Sequence, residues 1–293
     1  MNKDYVVYVA GGLANKMFHL AFGLSLKEKG YNVLFDDFSA SIEFEHDDLS
    51  LNRVFPKLEL NRMPKGMYHF GGDNSFKGKI LRRLPFFTGE RYSITHGFDY
   101  DSSFLNSIKK ETYMIGSFQN LEYLPKDSRI LKRNFTFSDF KDSQNQSLVH
   151  ELKKCESVAI HIRKGDGYAT WAQFIGTCPV DYYQKAIGLC VEKLSNPKFY
   201  VFTDVPSVVN DYLNGIDYTL VDWNPTVGYG NHFDMQLMSC AKHNIIANST
   251  YSWWGAWLND NPDKMVIAPK EWFKLTSQIQ QQPNLYPSDW IQI

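Results

Sequence analysis

No segment of the sequence approaches the ~18 consecutive apolar residues that a membrane-spanning helix needs. The apolar stretch from Tyr5 to Ala10 is too short for a secretory leader and is soon interrupted by Gly11 and Gly12. Cysteine is scarce. Cys155, Cys178, Cys190 and Cys240 form no C-x-x-C pair and no zinc spacing, so they read as reduced, mostly buried thiols in a reducing compartment. Neither sign of charge dominates. The net charge of −1 gives no global positive field to favour nucleic acid or an anionic surface. A G-x-G-x-x-G fingerprint is missing, which excludes a nicotinamide-type dinucleotide site. The one D-x-D pair, Asp99 and Asp101, follows no clear strand, so no metal is expected. These absences describe a cytoplasmic chain, with attachment to the inner face of a membrane left open. In that compartment the N-x-S/T patterns at Asn134, Asn145 and Asn248 go unused.

The sequence has a hydrophobic content of 43%, enough for a packed globular protein. Its 293 residues exceed one typical core, so two domains are expected, 1–147 and 148–293. The polar break from Asp142 to Gln146 lies next to that boundary. In the first half, Tyr5 to Ala10 reads as a strand and Gly11–Gly12 as a turn. A helix carrying Leu13, Met17, Leu20, Ala21 and Leu24 at helical spacing follows, then a strand from Tyr31 to Phe35. This is a βαβ unit whose glycines let backbone approach a ligand. Asn15 and His19 stand one helical turn apart on one face. Arg82, Arg83 and Arg91 form a basic cluster, read as solvated surface.

The second half is organised around Val158 to Tyr168, a buried strand that ends in charge. Alternation puts Val158, Ile160 and Ile162 on one face and His161 and Arg163 on the other. Lys164, Gly165 and Asp166 follow in a loop. Strand-like runs also end at Thr203–Asp204 and at Val221, before a loop rich in aromatics and glycine. Another ends at Asn248–Ser249–Thr250, where a helix carrying Trp253, Trp254 and Trp257 begins. Asp234 lies at the start of the preceding helix. Strands alternating with helices predict a parallel, doubly wound sheet with polar groups at its strand tips. A strand leading into a capped helix N-terminus can hold an anion.

Four motifs together resemble the α-1,2-fucosyltransferases of glycosyltransferase family 11. They are GGLANKMF (Gly11 to Phe18), HIRKGD (His161 to Asp166), FTDVPSVV (Phe202 to Val209) and LMSCAKHNIIANSTYSWWGAWLN (Leu237 to Asn259). The chain departs from the family pattern at Ala14 and Lys16, at Lys164 in place of a second arginine, and at Val205 in place of an acid. The resemblance implies an α/β fold of GT-B type, two Rossmann-like domains facing each other across a cleft. It implies inverting transfer of L-fucose from GDP-fucose to the 2-hydroxyl of a terminal galactose on an oligosaccharide, with no cofactor and no obligatory metal. It assigns Arg163, Lys164, Asp204, Asn248, Ser249 and Thr250 to the donor, with Gly11, Gly12 and Asn15 on the other domain. His161 and Asp166 join Arg163 as the catalytic set.

In such a reaction cationic side chains and a helix N-terminus must stabilise the leaving diphosphate. Asp166 is the first choice of base by position, while His19, Asp204 and Asp234 remain open, and His19 and Asp234 are the acceptor-side candidates. A GDP-fucose transferase of another linkage, a metal-dependent transferase using Asp99 and Asp101, and a non-catalytic carbohydrate-binding protein are the alternatives.

Overall fold

The computed structural model describes residues 4–39, 51–64, 76–83, 92–94, 98–107, 112–164, 176–274 and 282–293. Asp166 and Arg91 lie outside them. The chain divides into two compact units. One comprises Met1–Phe137 with Pro283–Leu285, the other Ser138–Gln282 with Tyr286–Ile293.

The first unit runs β1 (Asp4–Tyr8), α1 (Leu13–Glu28), β2 (Asn32–Asp36), α2 (Leu51–Val54), α3 (Phe76–Arg82), β3 (Tyr92–Ile94), α4 (Ser102–Ser107), β4 (Thr112–Ile115) and α5 (Ser128–Asn134). Its strands pair in parallel in the order β2-β1-β4-β3. Val6, Val7, Val33, Phe35, Tyr113 and Met114 are buried in that sheet. α1 packs against it so closely that a Cβ on Gly23 would stand 2.2 Å from the Phe35 ring, so glycine at this position is a packing requirement. Asp36 ends β2 fully buried. One of its carboxylate oxygens accepts the Tyr113 hydroxyl at 2.5 Å, and the other accepts the Phe38 and Ser39 N–H groups at 3.3 and 3.0 Å. This carboxylate therefore holds the turn after β2.

The second unit runs α6 (Ser143–Lys154), β5 (Ser157–Ile162), α7 (Val180–Lys193), β6 (Lys198–Thr203), α8 (Val209–Tyr212), β7 (Tyr218–Val221), α9 (Phe233–Cys240), β8 (His243–Ile245), α10 (Thr250–Leu258), β9 (Val266–Ala268) and β10 (Ile291–Gln292). All pairings are parallel, in the order β10-β9-β8-β5-β6-β7. Every residue of β5 is buried, as a central strand covered on both faces requires. Trp253 and Trp254 of α10 are fully buried, and a Cβ at Gly255 would press on Met238 of α9 at 3.0 Å.

This unit begins earlier than the expected boundary after residue 147, because the chain before α6 is already fastened to it. Gln236 donates to the Ser138 carbonyl at 2.8 Å, and the Phe140 and Phe233 rings meet edge to face at 5.2 Å. Near the C-terminus a short piece returns to the first unit, where the Leu121 N–H donates to the Asn284 carbonyl at 2.8 Å. The three glycosylation-type asparagines, Asn134, Asn145 and Asn248, are all buried.

Candidate active site

In the second sheet the chain order reverses between β5 and β8. From β5 it proceeds outward to β6 and β7, then returns to lay β8 on the opposite side of β5. Beyond the carboxyl ends of strands at such a reversal is where open parallel sheets bind ligands. The residues at those ends are the polar ones singled out above.

The register pairs Ile162 with Thr203, which brings the next residues of β5 and β6 abreast. Arg163 Nη1 donates to Asp204 Oδ2 in a short ion pair, and the Lys164 N–H donates to Asp204 Oδ1 at 3.0 Å. The side chains of Arg163 and Asp204 are 32% and 17% exposed, so the guanidinium is aimed by its partner and still reachable. The Lys164 ammonium lies 5.2 Å from the centre of the Tyr212 ring.

His161, one residue inside the β5 tip, is 5% exposed. Burial, then the nearby Arg163 cation, push its pKa down to about 3, so the ring is neutral at physiological pH. Among the described residues no hydrogen-bond partner reaches its Nδ1. Its ring centre is 5.8 Å from that of Tyr251 in α10. The Tyr251 hydroxyl donates to the Asn231 carbonyl at 2.5 Å and accepts the Met235 N–H at 3.0 Å. Burial, followed by the charge of Asp234, raises the Tyr251 pKa, while the Arg163 cation works the other way. Tyr251 thus feels both the carboxylate and the guanidinium. The structure groups Asp234 with His161 and Arg163 inside one unit.

Asp234 lies in the first turn of α9, and burial raises its carboxyl to about 6 against the opposing bond from Asn224 Nδ2 at 2.8 Å. Asn224 in turn accepts from Asn145 at 2.8 Å, and Asn145 accepts the Trp223 indole N–H at 3.0 Å. This relay fixes the loop after β7 to α6.

At the tip of β8 the three predicted residues separate in role. Asn248 is 4% exposed; its amide donates to the Gly176 and Trp272 carbonyls at 3.1 and 3.2 Å, and its oxygen accepts the Cys178 thiol at 3.4 Å. It is a strut between neighbouring segments. Ser249 caps α10, accepting the Tyr251 N–H at 3.4 Å. Thr250 opens the helix and is half-buried.

In the first unit the order likewise reverses, between β1 and β4. Gly11 there has φ +80°, a conformation that favours glycine, and Gly12 starts α1 with no side-chain cap. Asn15 accepts a bond from Gln119, beyond β4, at 3.2 Å. His19 is 7% exposed. Its Nδ1 accepts the Ala10 N–H at 3.2 Å, and the Gly116 main chain also bonds the ring. Burial lowers its pKa to about 4. His19 thus ties the backbone just before the glycine turn to the backbone just beyond β4.

The glycosyl transferase family 11 profile matches residues 78–293. The chain belongs to glycosyl transferase family 11. It is 31% identical over 304 residues to an alpha-1,2-colitosyltransferase of Escherichia coli, covering 98% of each chain. It is 32% identical over 292 residues to the O-antigen biosynthesis glycosyltransferase WbnK of Escherichia coli, covering 90% of this chain and 93% of that one. Among solved structures it is similar to the NodZ alpha-1,6-fucosyltransferase of Bradyrhizobium in a crystal soaked with GDP-fucose. That likeness has a TM-score of 0.51 at 14% identity, over 88% of this chain and 93% of the other. The fold is GT-B, with two Rossmann-like units.

In this family 11 glycosyltransferase, the first D-x-D residue contributes its carbonyl to Tyr123 at 3.4 Å. The second, Asp101, caps α4 by accepting from Ser103 at 2.5 Å and from the Phe104 N–H at 3.0 Å. Among the described residues no group of three His, Cys, Asp or Glu is arranged to hold a metal, and no helix is long and apolar enough to cross a membrane. Sequence reasoning missed Tyr251, Asn231, Asn224 and Asn145. Tyr251 stood inside the longest motif, whose tryptophans read as packing. The asparagines become neighbours only through the sheet order.

Proposed function

We propose that this glycosyltransferase moves L-fucose from GDP-fucose to the 2-hydroxyl of a terminal galactose, inverting the anomeric centre and needing no obligatory metal. The observation that carries the reading is Arg163, aimed by Asp204 at the β5 and β6 tips where the sheet order reverses. The α-1,2 linkage that names the colitosyltransferase relative and the GDP-fucose soaked into the NodZ crystal support it.

In the transfer, the bond between the fucose anomeric carbon and the β-phosphate oxygen breaks. The galactose 2-oxygen forms its bond to that carbon from the opposite face, its proton passes to a base, and GDP departs with the electron pair. Arg163 meets the charge that grows on the diphosphate, aided by Lys164 and by the positive end of the α10 dipole at Ser249 and Thr250. Neutral His161, buried against Tyr251, shapes the floor of the same pocket. Asp166 remains our assignment of the base. Asp204 is a poor one because both its carboxylate oxygens are already engaged, one by Arg163 Nη1 and the other by the Lys164 N–H, and Asp234 supports the nucleotide side of the site.

The 31% identity to the colitosyltransferase favours a second donor, since colitose is fucose without its 3-hydroxyl. The test supplies GDP-fucose or GDP-colitose with galactose-terminated oligosaccharides and a chelator, and determines the product linkage. We expect an α-1,2-fucosylated product and a rate loss of about 10²–10³ in Arg163→Ala. A chelator-abolished reaction, another linkage, or a loss below about tenfold in folded Arg163→Ala would overturn the corresponding part of the reading.

A further inference from the structure

The basic cluster near residue 82 has no role in the transfer, and α3 gives it a shape. Phe76 and Ile80 are 81% and 40% exposed, and Lys77, Lys79 and Arg83 are exposed as well. At about 100° per residue, Phe76, Lys79, Ile80 and Arg83 fall within an arc of about 100° on one side of the helix. Gly78 lies opposite and is buried, so the helix seats its glycine face on the protein and turns the mixed face to solvent. No acidic residue occurs from Phe76 to Gly89, although the whole chain carries a net charge of only −1.

We propose that α3 is a docking element for an anionic lipid surface. A soluble surface helix normally turns its apolar stripe inward. Here the exposed phenylalanine and isoleucine are one turn apart and ringed by cations. That pattern suits the boundary between headgroups and acyl chains: the rings and methyls enter the apolar layer while the ammonium and guanidinium groups stay with the phosphates. Charge complementarity selects an anionic surface over a zwitterionic one, with each cation worth about fivefold in partitioning. The short helix gives reversible attachment rather than insertion.

The test is cosedimentation of the purified full chain, without donor or acceptor, with phosphatidylcholine vesicles and with vesicles that also contain phosphatidylglycerol. Thermal melting of each variant checks its fold, and the substituted side chains are exposed, so the core is untouched. The chain should sediment with the anionic vesicles only, and release as salt is raised to about 0.5 M. Lys77→Gln/Lys79→Gln should lower partitioning about 25-fold, from two cations at about fivefold each. Phe76→Ser/Ile80→Ser should lower it at least about tenfold, while Phe76→Leu keeps it. No sedimentation with anionic vesicles would overturn the proposal. So would binding that both double variants retain. Loss through the lysines alone, with Phe76→Ser/Ile80→Ser unaffected, would mean a bare electrostatic contact of the kind a soluble polyanion makes, and would overturn it equally.

Discussion

Replacing His19 with glutamine should flatten the dependence of stability on pH. His19 is 7% exposed, and its pKa falls from the ordinary 6.5 to about 4 because burial penalises the charged ring. The folded pKa lies below the unfolded one, so between pH 6.5 and 4 the unfolded chain binds a proton that the folded chain refuses. Stability is therefore full above about pH 6.5 and falls on acidification, by about 1.4 kcal/mol per pH unit for this one group. Moving from pH 7 to pH 5 should cost about 2 kcal/mol through His19. His161 and His232 push in the same direction, and Asp234 opposes them. Comparison of the wild type with His19→Gln isolates the single group, because the other titrations cancel in the difference. Urea unfolding at pH 7 and pH 5 supplies the four free energies. The variant is less stable at both values, since the Ala10 N–H loses its nitrogen acceptor, but it should lose about 2 kcal/mol less than the wild type on acidification. An equal loss in the two proteins would refute the assignment of a neutral, doubly engaged imidazole at the glycine turn.

Asn248→Ala removes the donor to two carbonyls and the acceptor of the Cys178 thiol, so it should lower stability by about 2–4 kcal/mol, read as a fall in melting temperature. Unchanged melting would contradict its role as a strut. Asp234 has a raised pKa, about 6, so its stabilising contribution belongs to the protonated form, is complete below about 3.8, and is lost as pH rises through 6. Asp234→Asn should accordingly gain about 1–3 kcal/mol on the wild type between pH 4.5 and pH 7.5, which denaturant titrations at the two values would detect. A pH-independent difference between the two proteins would argue against a buried, titrating carboxyl.

Much of the architecture was legible because both units are parallel α/β, where strands are short apolar runs and helices carry a clear stripe. The runs expected to end at Thr203 and at Val221 do end there, as the strands Lys198–Thr203 and Tyr218–Val221. The short strands β3 and β10 were not legible, because three and two residues hold no periodicity. At the site, the Arg163–Asp204 pair was foreseeable as two polar strand tips. The role of Asn248 was not, since its partners Gly176 and Trp272 are distant in the chain and use main-chain oxygens that sequence does not display. The bonds that His19 makes were hidden for a similar reason. A histidine one turn from Asn15 suggests a ligand face, whereas its bonds to Ala10 and Gly116 depend on how β1 and β4 lie side by side. Likewise, nothing in the neighbourhood of Asp234 in the sequence points to Tyr251.

The central claim is that the tips of β5 and β6, with the start of α10, form a GDP-sugar site built on Arg163. The most direct measurement is calorimetric titration of the purified chain with GDP in buffer containing a chelator, repeated with Arg163→Ala. Micromolar binding that disappears in the folded variant is the predicted result. No binding by the folded wild type, or equal binding by the variant, would contradict the claim.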